Sequence, residues 1–506
     1  MTRGNENEHG TALVEVALPV PLPQTFTYLM PEAWEDPVRA GDLVAAPFGR
    51  RKAVAGMVVS VSRTPGEVVE RDGHRLRPLS RCFGPAYAIT DDRRRLLDWM
   101  CGYYALPAGE LVPLFHPPSP GTRARATARR PAAFPLSDRR VVDLTADQSR
   151  AVASAVDHLD RGAYGVLLLH GVTGSGKTEV YLRAIAETLD RGRSAVYLLP
   201  EIALTPQTEA RIRERFGDAV ATLHSGLSAG QRCRVHEAAA AGEVRVVVGP
   251  RSALFVPLRA LGLVVMDEEH DSSYKQEEKP RYHARHAALV RAREAGAFVI
   301  LGSATPDLES VRNARDGRYQ LVELHDRPVG EVPAVEIVDM REERSGDGFS
   351  DKLLQSLERT LAGGRQAILY YNRRGFARVL QCSACGGAVP CPHCDIGLTV
   401  HLRPRRLLCH YCGHSRPAPE ICPECGAAEF LPAGGGTEKL ELALTAHFPC
   451  ARILRLDQDT TRRRGSHARI LTAFASGEAD ILVGTQMVAK GHHFPGVDLV
   501  GVLAAD

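Results

Sequence analysis

The sequence has no uninterrupted apolar run approaching the ~18 residues that a membrane-spanning helix requires. Met1–Gly10 is polar and has no apolar core of the kind a secretory leader carries, so the chain reads as cytoplasmic. Nothing in it repeats at a solenoid period. Net charge is nearly absent, +3 over 506 residues, so the charge balance alone does not point to nucleic acid. Lysine is scarce and the positive charge is mostly arginine, whose planar fork suits bidentate contacts to phosphate. In a reducing compartment disulfides are not expected, which leaves the twelve cysteines as metal ligands or core residues.

What is present is enough apolar matter for sizeable cores, 44% of a chain whose length suits three or more domains. Residues 11–110 read as a small β-rich domain with a helical tail around DDRRRLLDWMCGYYAL. Residues 111–140 read as a linker rich in Pro, Ala and Arg, including Arg123, Arg125, Arg129, Arg130, Arg139 and Arg140. It is either a solvated spacer or an arm touching DNA backbone. From residue 141 short apolar strands alternate with helical stretches (GVLLLHG, SAVYLLP, VRVVVGP, LGLVVMDE, AFVILGS), the pattern of a parallel sheet covered on both faces. A second such set runs over 331–506, interrupted at 382–425 by a cysteine-dense insertion.

Gly171-Val172-Thr173-Gly174-Ser175-Gly176-Lys177-Thr178 fits G-x-x-x-x-G-K-[ST] at every position, with an apolar strand before it and an amphipathic helix after it. Glycines let backbone N–H groups turn toward phosphate oxygens at a helix start. Lys177 is expected to neutralise the β- and γ-phosphates and Thr178 to ligate Mg²⁺, which makes ATP with Mg²⁺ the expected cofactor. About ninety residues on, the strand LGLVVM ends in Asp267-Glu268-Glu269-His270. Asp267 is expected to hold the Mg²⁺ shell, Glu268 to activate the attacking water, and His270 to sit near the γ-phosphate.

A phosphate loop alone does not make a helicase. The ordered series does more: LTADQ with Gln148 placed for the adenine edge, LLPEIALTPQ, GPRSALF, Gly302-Ser303-Ala304-Thr305-Pro306, and Gly484-Thr485-Gln486-Met487-Val488-Ala489-Lys490-Gly491. This order resembles superfamily 2 helicases with a DEAH-type box, in which two RecA-like lobes enclose ATP and track along single-stranded DNA. That resemblance implies that Thr205, Gly249, Arg251 and Ser252 hold strand phosphates and that Ser303 and Thr305 couple hydrolysis to lobe movement.

Eight cysteines form four C-x-x-C pairs, Cys382/Cys385, Cys391/Cys394, Cys409/Cys412 and Cys422/Cys425. Zn²⁺ takes four thiolates in a tetrahedron, so two closed structural zinc sites per chain are expected. Four pairs combine in three ways; the ribbon-like spacing favours Cys391, Cys394, Cys409 and Cys412 sharing one ion and the outer pairs the other. His393, His410 and His414 are expected to stay outside the ligand sets. Cys82, Cys101, Cys233 and Cys450 are isolated.

A cysteine insertion of this spacing, with the strings HGVTGSGKTEVYL, DEEHDSSYKQEEKPRYHAR, NRRGFA, GTQMVAKGHHFP and VALPVPLPQTFTYLMPE, resembles the PriA family of bacterial replication-restart helicases from about Val14 to Asp506. The resemblance implies an α/β fold: two RecA-like helicase lobes, the second incomplete, with a small N-terminal β-rich DNA-binding domain and a zinc-binding insertion. It implies capture of a leading-strand 3′ end through Phe26, Gly49 and Arg77, Arg77 standing where the family often has Lys. Thr27 stands where the family often has Asp. It implies a loop, Ser272–Arg285, whose Tyr274, Arg281, Tyr282 and His283 stack on bases and report DNA to the ATP site; the alternative is an ordinary charged loop. The implied activity is ATP-dependent 3′-to-5′ unwinding that remodels stalled forks. The implied partners are forked DNA, single-stranded DNA, primosome and helicase-loading proteins and single-stranded DNA-binding protein; no membrane is among them. A fork-binding scaffold without unwinding is the other reading. The family's winged helix, between Pro107 and Val141, is expected to be missing. So are the arginines of a Q-x-x-G-R-A-G-R motif and a C-terminal domain. The chain is therefore read as cut short, with hydrolysis slowed by ~10³ or more.

Overall fold

The computed structural model describes the chain except residues 1–10, 35, 65–69, 72–73, 121–142, 201–203, 205, 327–332, 341–347, 372–378, 383, 386, 395, 403–404, 410, 429, 434–436, 458–459, 462–465, 486–487, 489–493 and 504–506. Several expectations lie outside the described residues: the arginines of the 123–140 stretch, Thr205, the NRRGFA string, His410, and Gln486, Met487, Ala489, Lys490 and Gly491. The chain divides into two compact units, Met1–Val332 and Pro333–Asp506.

The first unit opens with an antiparallel sheet of β1 (Thr11–Ala17), β2 (Phe26–Leu29), β3 (Leu43–Phe48), β4 (Arg51–Thr64) and β7 (Arg81–Cys82), ordered β2-β1-β4-β3-β7, with a short hairpin of β5 (Glu70–Arg71) and β6 (His74–Arg75). Helix α1 (Asp91–Tyr104) follows, its first turn carrying Asp91 and Asp92, which suits the positive end of the helix dipole. The packed region runs past the expected boundary at 110. After α2 (Ala108–Leu111), Val112 and Phe115 are still fully buried, so the apolar VPLF belongs to this domain rather than to a linker.

Next comes a parallel sheet of seven strands. They are β8 (Gly165–Gly171), β9 (Ser194–Leu198), β10 (Val220–Thr222), β11 (Val246–Gly249), β12 (Leu261–Asp267), β15 (Phe298–Ser303) and β16 (Gln320–Leu324), ordered β10-β11-β9-β12-β15-β8-β16. A two-strand ribbon, β13 (Lys275–Gln276) and β14 (Tyr282–His283), lies between β12 and β15 in the chain. The helices are α3 (Ala146–Arg161), α4 (Lys177–Asp190), α5 (Pro206–Phe216), α6 (Ala229–Ala241), α7 (Ala284–Ala295) and α8 (Leu308–Arg315). The strands are almost continuously apolar because both faces are buried. Leu167, Leu169, Tyr197, Val265 and Ile300 pack with α3 and α4. The alternate residues Val166, Leu168, Val264, Met266 and Leu301 share a core with α7 and with Leu96, Leu97 and Met100 of α1. The N-terminal domain therefore closes one face of the lobe's hydrophobic core. Arg93 is fully buried at this seam, its Nη2 donating to the carbonyls of Phe115 (2.5 Å) and Phe255 (2.8 Å).

The second unit holds α9 (Asp351–Ala362) and a parallel sheet of β17 (Gln366–Tyr371), β23 (Ile453–Leu456), β24 (Ile481–Gly484) and β25 (Val497–Leu503), ordered β23-β24-β17-β25, with α10 (Thr437–His447) and α11 (Ser466–Ala475). Inserted after β17 is an antiparallel sheet of β18 (Val379–Cys382), β19 (Thr399–Leu402), β20 (Arg405–Leu408), β21 (Ser415–Pro417) and β22 (Phe430–Ala433). No helix among the described residues is long and apolar enough to cross a membrane.

Candidate nucleotide and DNA site

Parallel pairing brings the C-terminal ends of β8, β15 and β12 side by side: Ser303 faces His170, and Gly302 faces Asp267. Crevices at such strand ends are where open α/β sheets bind ligands. β8 runs directly into the phosphate loop. Gly174 (φ 86°) and Gly176 (φ 82°) take left-handed backbone there, and Gly176 caps α4 so that the helix begins at Lys177. Lys177 Nζ donates to the Gly171 carbonyl (2.6 Å) and that of Val172 (3.3 Å), which sets its ammonium in the mouth of the loop. Burial lowers its pKa, and the carboxylates of Asp267 and Glu268 pull it back only in part. Val172, Thr173 and Gly174 are exposed at the loop tip, and Thr178 is half-buried in the first turn of α4. Ser175 Oγ is buried with no hydrogen-bond partner, a polar atom that a phosphate oxygen would satisfy.

Thr145 caps α3 and Gln148 completes the capping box: the Gln148 backbone N–H donates to Thr145 Oγ1 (3.3 Å), and Gln148 Oε1 accepts from the Thr145 backbone N–H (3.0 Å). Its Nε2 donates to the Ser175 carbonyl (2.8 Å). The amide expected to read adenine is thus tied to the phosphate loop itself.

Asp267 ends β12. Its carboxylate accepts from Tyr181 Oη (3.0 Å), Tyr197 Oη (3.5 Å) and the Glu268 N–H (3.1 Å). Gly302 permits the first contact, because an added Cβ there would lie 1.6 Å from Tyr181 Oη. Burial first, then the neighbouring Glu268 carboxylate, raise the Asp267 pKa to about 6. The consequence has a definite sign. Below about 6 the carboxyl holds a proton that a metal must displace; above it the carboxylate is ready. Affinity for Mg²⁺–nucleotide is expected to fall by roughly tenfold per pH unit below that pKa and to level off above pH ~7. Calorimetry in buffers of different ionisation enthalpy should find about one proton released on binding at acid pH and none at the plateau. Binding without proton release throughout would place the titration elsewhere.

Glu268 takes a left-handed backbone (φ 47°), an uncommon conformation for a residue with a side chain. His270 Nδ1 lies 2.7 Å from Ser303 Oγ and its Nε2 lies 3.4 Å from Thr305 Oγ1. The acidic segment and the Ser303–Thr305 segment are thus joined through one imidazole. Sequence reasoning missed the contact beside it. Glu269, fully buried, accepts from Arg285 Nη1 (2.7 Å), Ser310 Oγ (3.0 Å) and the Asp307 N–H (2.7 Å). The acidic run offered no sign of which of its members turns inward.

The Ser272–Arg285 loop corrects one expectation. Tyr274 and Tyr282 are 1% and 3% exposed, so neither offers a ring face to a base. Tyr274 Oη donates to the Asp267 carbonyl (2.7 Å), and Tyr282 packs edge-on against Phe255 at 5.5 Å. Both rings gain more from apolar burial than from standing in water, and Tyr274 ties the loop to the end of β12. Arg251 Nη1 donates to the carbonyls of Ser273 (2.7 Å) and Lys275 (3.4 Å), bracing the same loop. Ser252 is exposed beside it, Gly249 ends β11, and Arg281 is exposed with Nε donating to the Glu277 carbonyl (2.9 Å).

In the N-terminal sheet the expected end-binding residues do gather. Phe26 meets Phe48 edge-on at 4.9 Å, Gly49 turns the chain at φ 54°, and Arg77 Nη2 donates to the Pro47 carbonyl at 2.7 Å. Thr27 brings no carboxylate, but Glu15 stands across the strand pair and accepts from Thr27 Oγ1 (2.8 Å) and Thr25 Oγ1 (2.7 Å).

The cysteines form two quartets, Cys382 with Cys385, Cys422 and Cys425, and Cys391 with Cys394, Cys409 and Cys412. Within each, the sulfurs lie within 4.8 Å of one another, and none is in a disulfide. The pairs at 3.5 Å (Cys382–Cys425), 3.7 Å (Cys385–Cys422) and 3.6 Å (Cys391–Cys412) match the ~3.8 Å edge of a tetrahedron of thiolates about 2.3 Å from Zn²⁺. The donor set therefore fits zinc, and the pairing is the inner-with-inner arrangement favoured by spacing.

The phosphate loop, the acidic strand end and the segments around them define a helicase-type nucleotide site, and residues 145–314 match the DEAD/DEAH box helicase family. Residues 15–117 match the 3′DNA-binding domain (3′BD) family, and 391–417 match the PriA DNA helicase Cys-rich region (CRR) domain. Replication restart protein PriA of Haemophilus influenzae is 35% identical over 567 residues, covering 98% of this chain and 77% of that relative. PriA of Bacillus subtilis is 50% identical over 367 residues, 72% of this chain and 46% of the relative. PriA of Treponema pallidum is 37% identical over 495 residues, 97% of this chain and 74% of its own length. The chain belongs to the PriA family of replication restart proteins. It spans about half the length of the Bacillus subtilis relative.

Proposed function

We propose that this chain carries the ATP-driven motor and DNA-end recognition of a replication-restart helicase. The observation that carries the reading is the His270 imidazole, which joins the Asp267–His270 segment to Ser303 and Thr305 beside a complete phosphate loop. Lys177 would hold the phosphates, Thr178 and Asp267 would hold Mg²⁺, and Glu268 would orient the water. When bound, Mg²⁺ would supply neutralisation of phosphate charge. Phe26, Gly49 and Arg77 frame the pocket for a leading-strand 3′ end, with the Glu15 carboxylate in place of the acid that Thr27 lacks. Two structural Zn²⁺ hold the insertion. Movement runs 3′ to 5′ on single-stranded DNA and remodels stalled forks for primosome assembly. Partners are helicase-loading proteins and single-stranded DNA-binding protein.

The test is ATP hydrolysis by this chain with and without a fork bearing a 3′ end at its junction. Stimulation above the chain's own slow DNA-free rate is expected with the fork, abolished by Lys177→Ala while fork binding stays within about twofold. Tight fork binding with no hydrolysis would instead make this chain a recognition scaffold. Collapse of binding in Lys177→Ala would show that end recognition does not reside in the N-terminal domain.

A further inference from the structure

We propose that Tyr103, on the last turn of α1, is a stacking platform for an unpaired base of single-stranded DNA, a site separate from the 3′-end pocket. The proposal rests on the reading that this chain binds single-stranded DNA.

With Tyr274 and Tyr282 buried, base stacking at the Ser272–Arg285 loop needs another ring, and α1 supplies one. Tyr103 is 59% exposed, although large aromatic side chains are usually covered. One face is stacked on Trp99 at 4.8 Å and 18°. Tyr104 meets it edge-on at 4.9 Å, and His286 does so at 6.0 Å. His286 in turn stacks on His283 at 4.9 Å. Trp99 thus lies against one face, Tyr104 and His286 stand perpendicular to the ring, and more than half of Tyr103 remains open to solvent. A π-surface already fixed in orientation loses little side-chain entropy when a base lies on it.

Two observations select the occupant. Trp99 and Tyr103 fall within the stretch that matches the 3′DNA-binding domain family, so the platform continues a DNA-binding domain. It also adjoins the loop that touches the ATP site. Tyr104 Oη accepts from the His283 N–H (3.1 Å), and at its other end the loop's Tyr274 bonds the Asp267 carbonyl. The charges nearby are acidic or paired: Asp98 is exposed, and Arg95 is bonded to Glu294 (2.8 Å). Such surroundings favour the flat face of a base over its phosphate, so this contact should add little to the salt dependence of binding.

Trp34 and Trp99 are the two tryptophans of the chain, so Trp34→Phe leaves Trp99, stacked under Tyr103, as the sole indole reporter. The probe is a circular oligothymidylate, which has no 3′ end, so failure of the end pocket cannot imitate failure of this site. Quenching of Trp99 on binding is expected. In the full chain Tyr103→Ala is expected to weaken affinity about tenfold at unchanged salt slope, Tyr103→Trp to restore it, and Tyr103→Leu not to. Melting temperature and DNA-independent hydrolysis should stay as in the parent. Wild-type affinity in Tyr103→Ala, or rescue by leucine, overturns the proposal. So does loss of a protein partner with DNA affinity intact.

Discussion

Replacing Cys391 with serine is expected to take the chain from two bound zinc ions to one and to unfold half of the 382–425 insertion. The magnitude follows from how little else holds it. Among the described residues its apolar core consists of Val389, Leu398 and Leu407 together with Cys391 and Cys409 themselves, with Cys394 and Ala418 partly buried against it. A cluster that small cannot offset the chain entropy of ordering several short strands. Structural zinc contributes on the order of 10–16 kcal/mol of apparent binding energy in small zinc modules, which here is folding energy. The quartets are disjoint, so Cys382→Ser should release the other ion, and the double substitution should leave none. Elemental analysis counts the ions, and limited proteolysis locates the opened segment. The phosphate loop lies in the other compact unit, so ATP binding should be unchanged within about twofold. Two ions retained by Cys391→Ser would refute the ligand sets.

Much of this molecule was legible where chemistry is local in sequence. Residues Gly171 to Thr178 declare themselves because a phosphate cradle is built from consecutive backbone groups. The cysteine pairs do so because a C-x-x-C turn is itself a half-site. The parallel sheet showed in runs such as LGLVVM, apolar on both faces because helices cover both. What did not show depends on which way a side chain turns. Three acids follow Met266, and nothing local distinguishes Glu269, which is buried, from Glu268, which is a third exposed. Aromatic residues of the Ser272–Arg285 loop suggested stacking, yet the same rings serve equally well as core. Their burial is decided by Phe255 and Asp267, partners set by the fold. The extension of the N-terminal domain past residue 110 was obscured by proline, which marks loops in general but sits here inside packed one-turn helices.

Arg285→Met is expected to destabilise the first unit by about 3–5 kcal/mol, because it strands the Glu269 carboxylate without a counter-charge. The two side chains are 5% and 0% exposed, so water cannot take the arginine's place. Glu269 would keep the Asp307 N–H and Ser310 Oγ, two neutral donors for a full buried charge. Arg285 also reaches Glu309 at 2.5 Å, but that acid is 64% exposed and loses little. Pairing the change with Glu269→Gln should recover much of the loss, since no charge is then left buried, and the coupling read from the double-mutant cycle separates the ion pair from packing. A melting temperature lowered on the order of 10 °C in the single variant, with partial recovery in the double, is the expected pattern. The site should feel it as well. Glu269 donates its N–H to the Gly302 carbonyl (3.0 Å) and fixes the Asp307 N–H, so it clamps the acidic segment to the segment bearing Ser303 and Thr305. DNA-stimulated hydrolysis should fall more than nucleotide affinity in Arg285→Met, because the clamp lies between the two segments and not on the phosphate loop. Equal loss of both would make the pair a stabiliser of the lobe and nothing more.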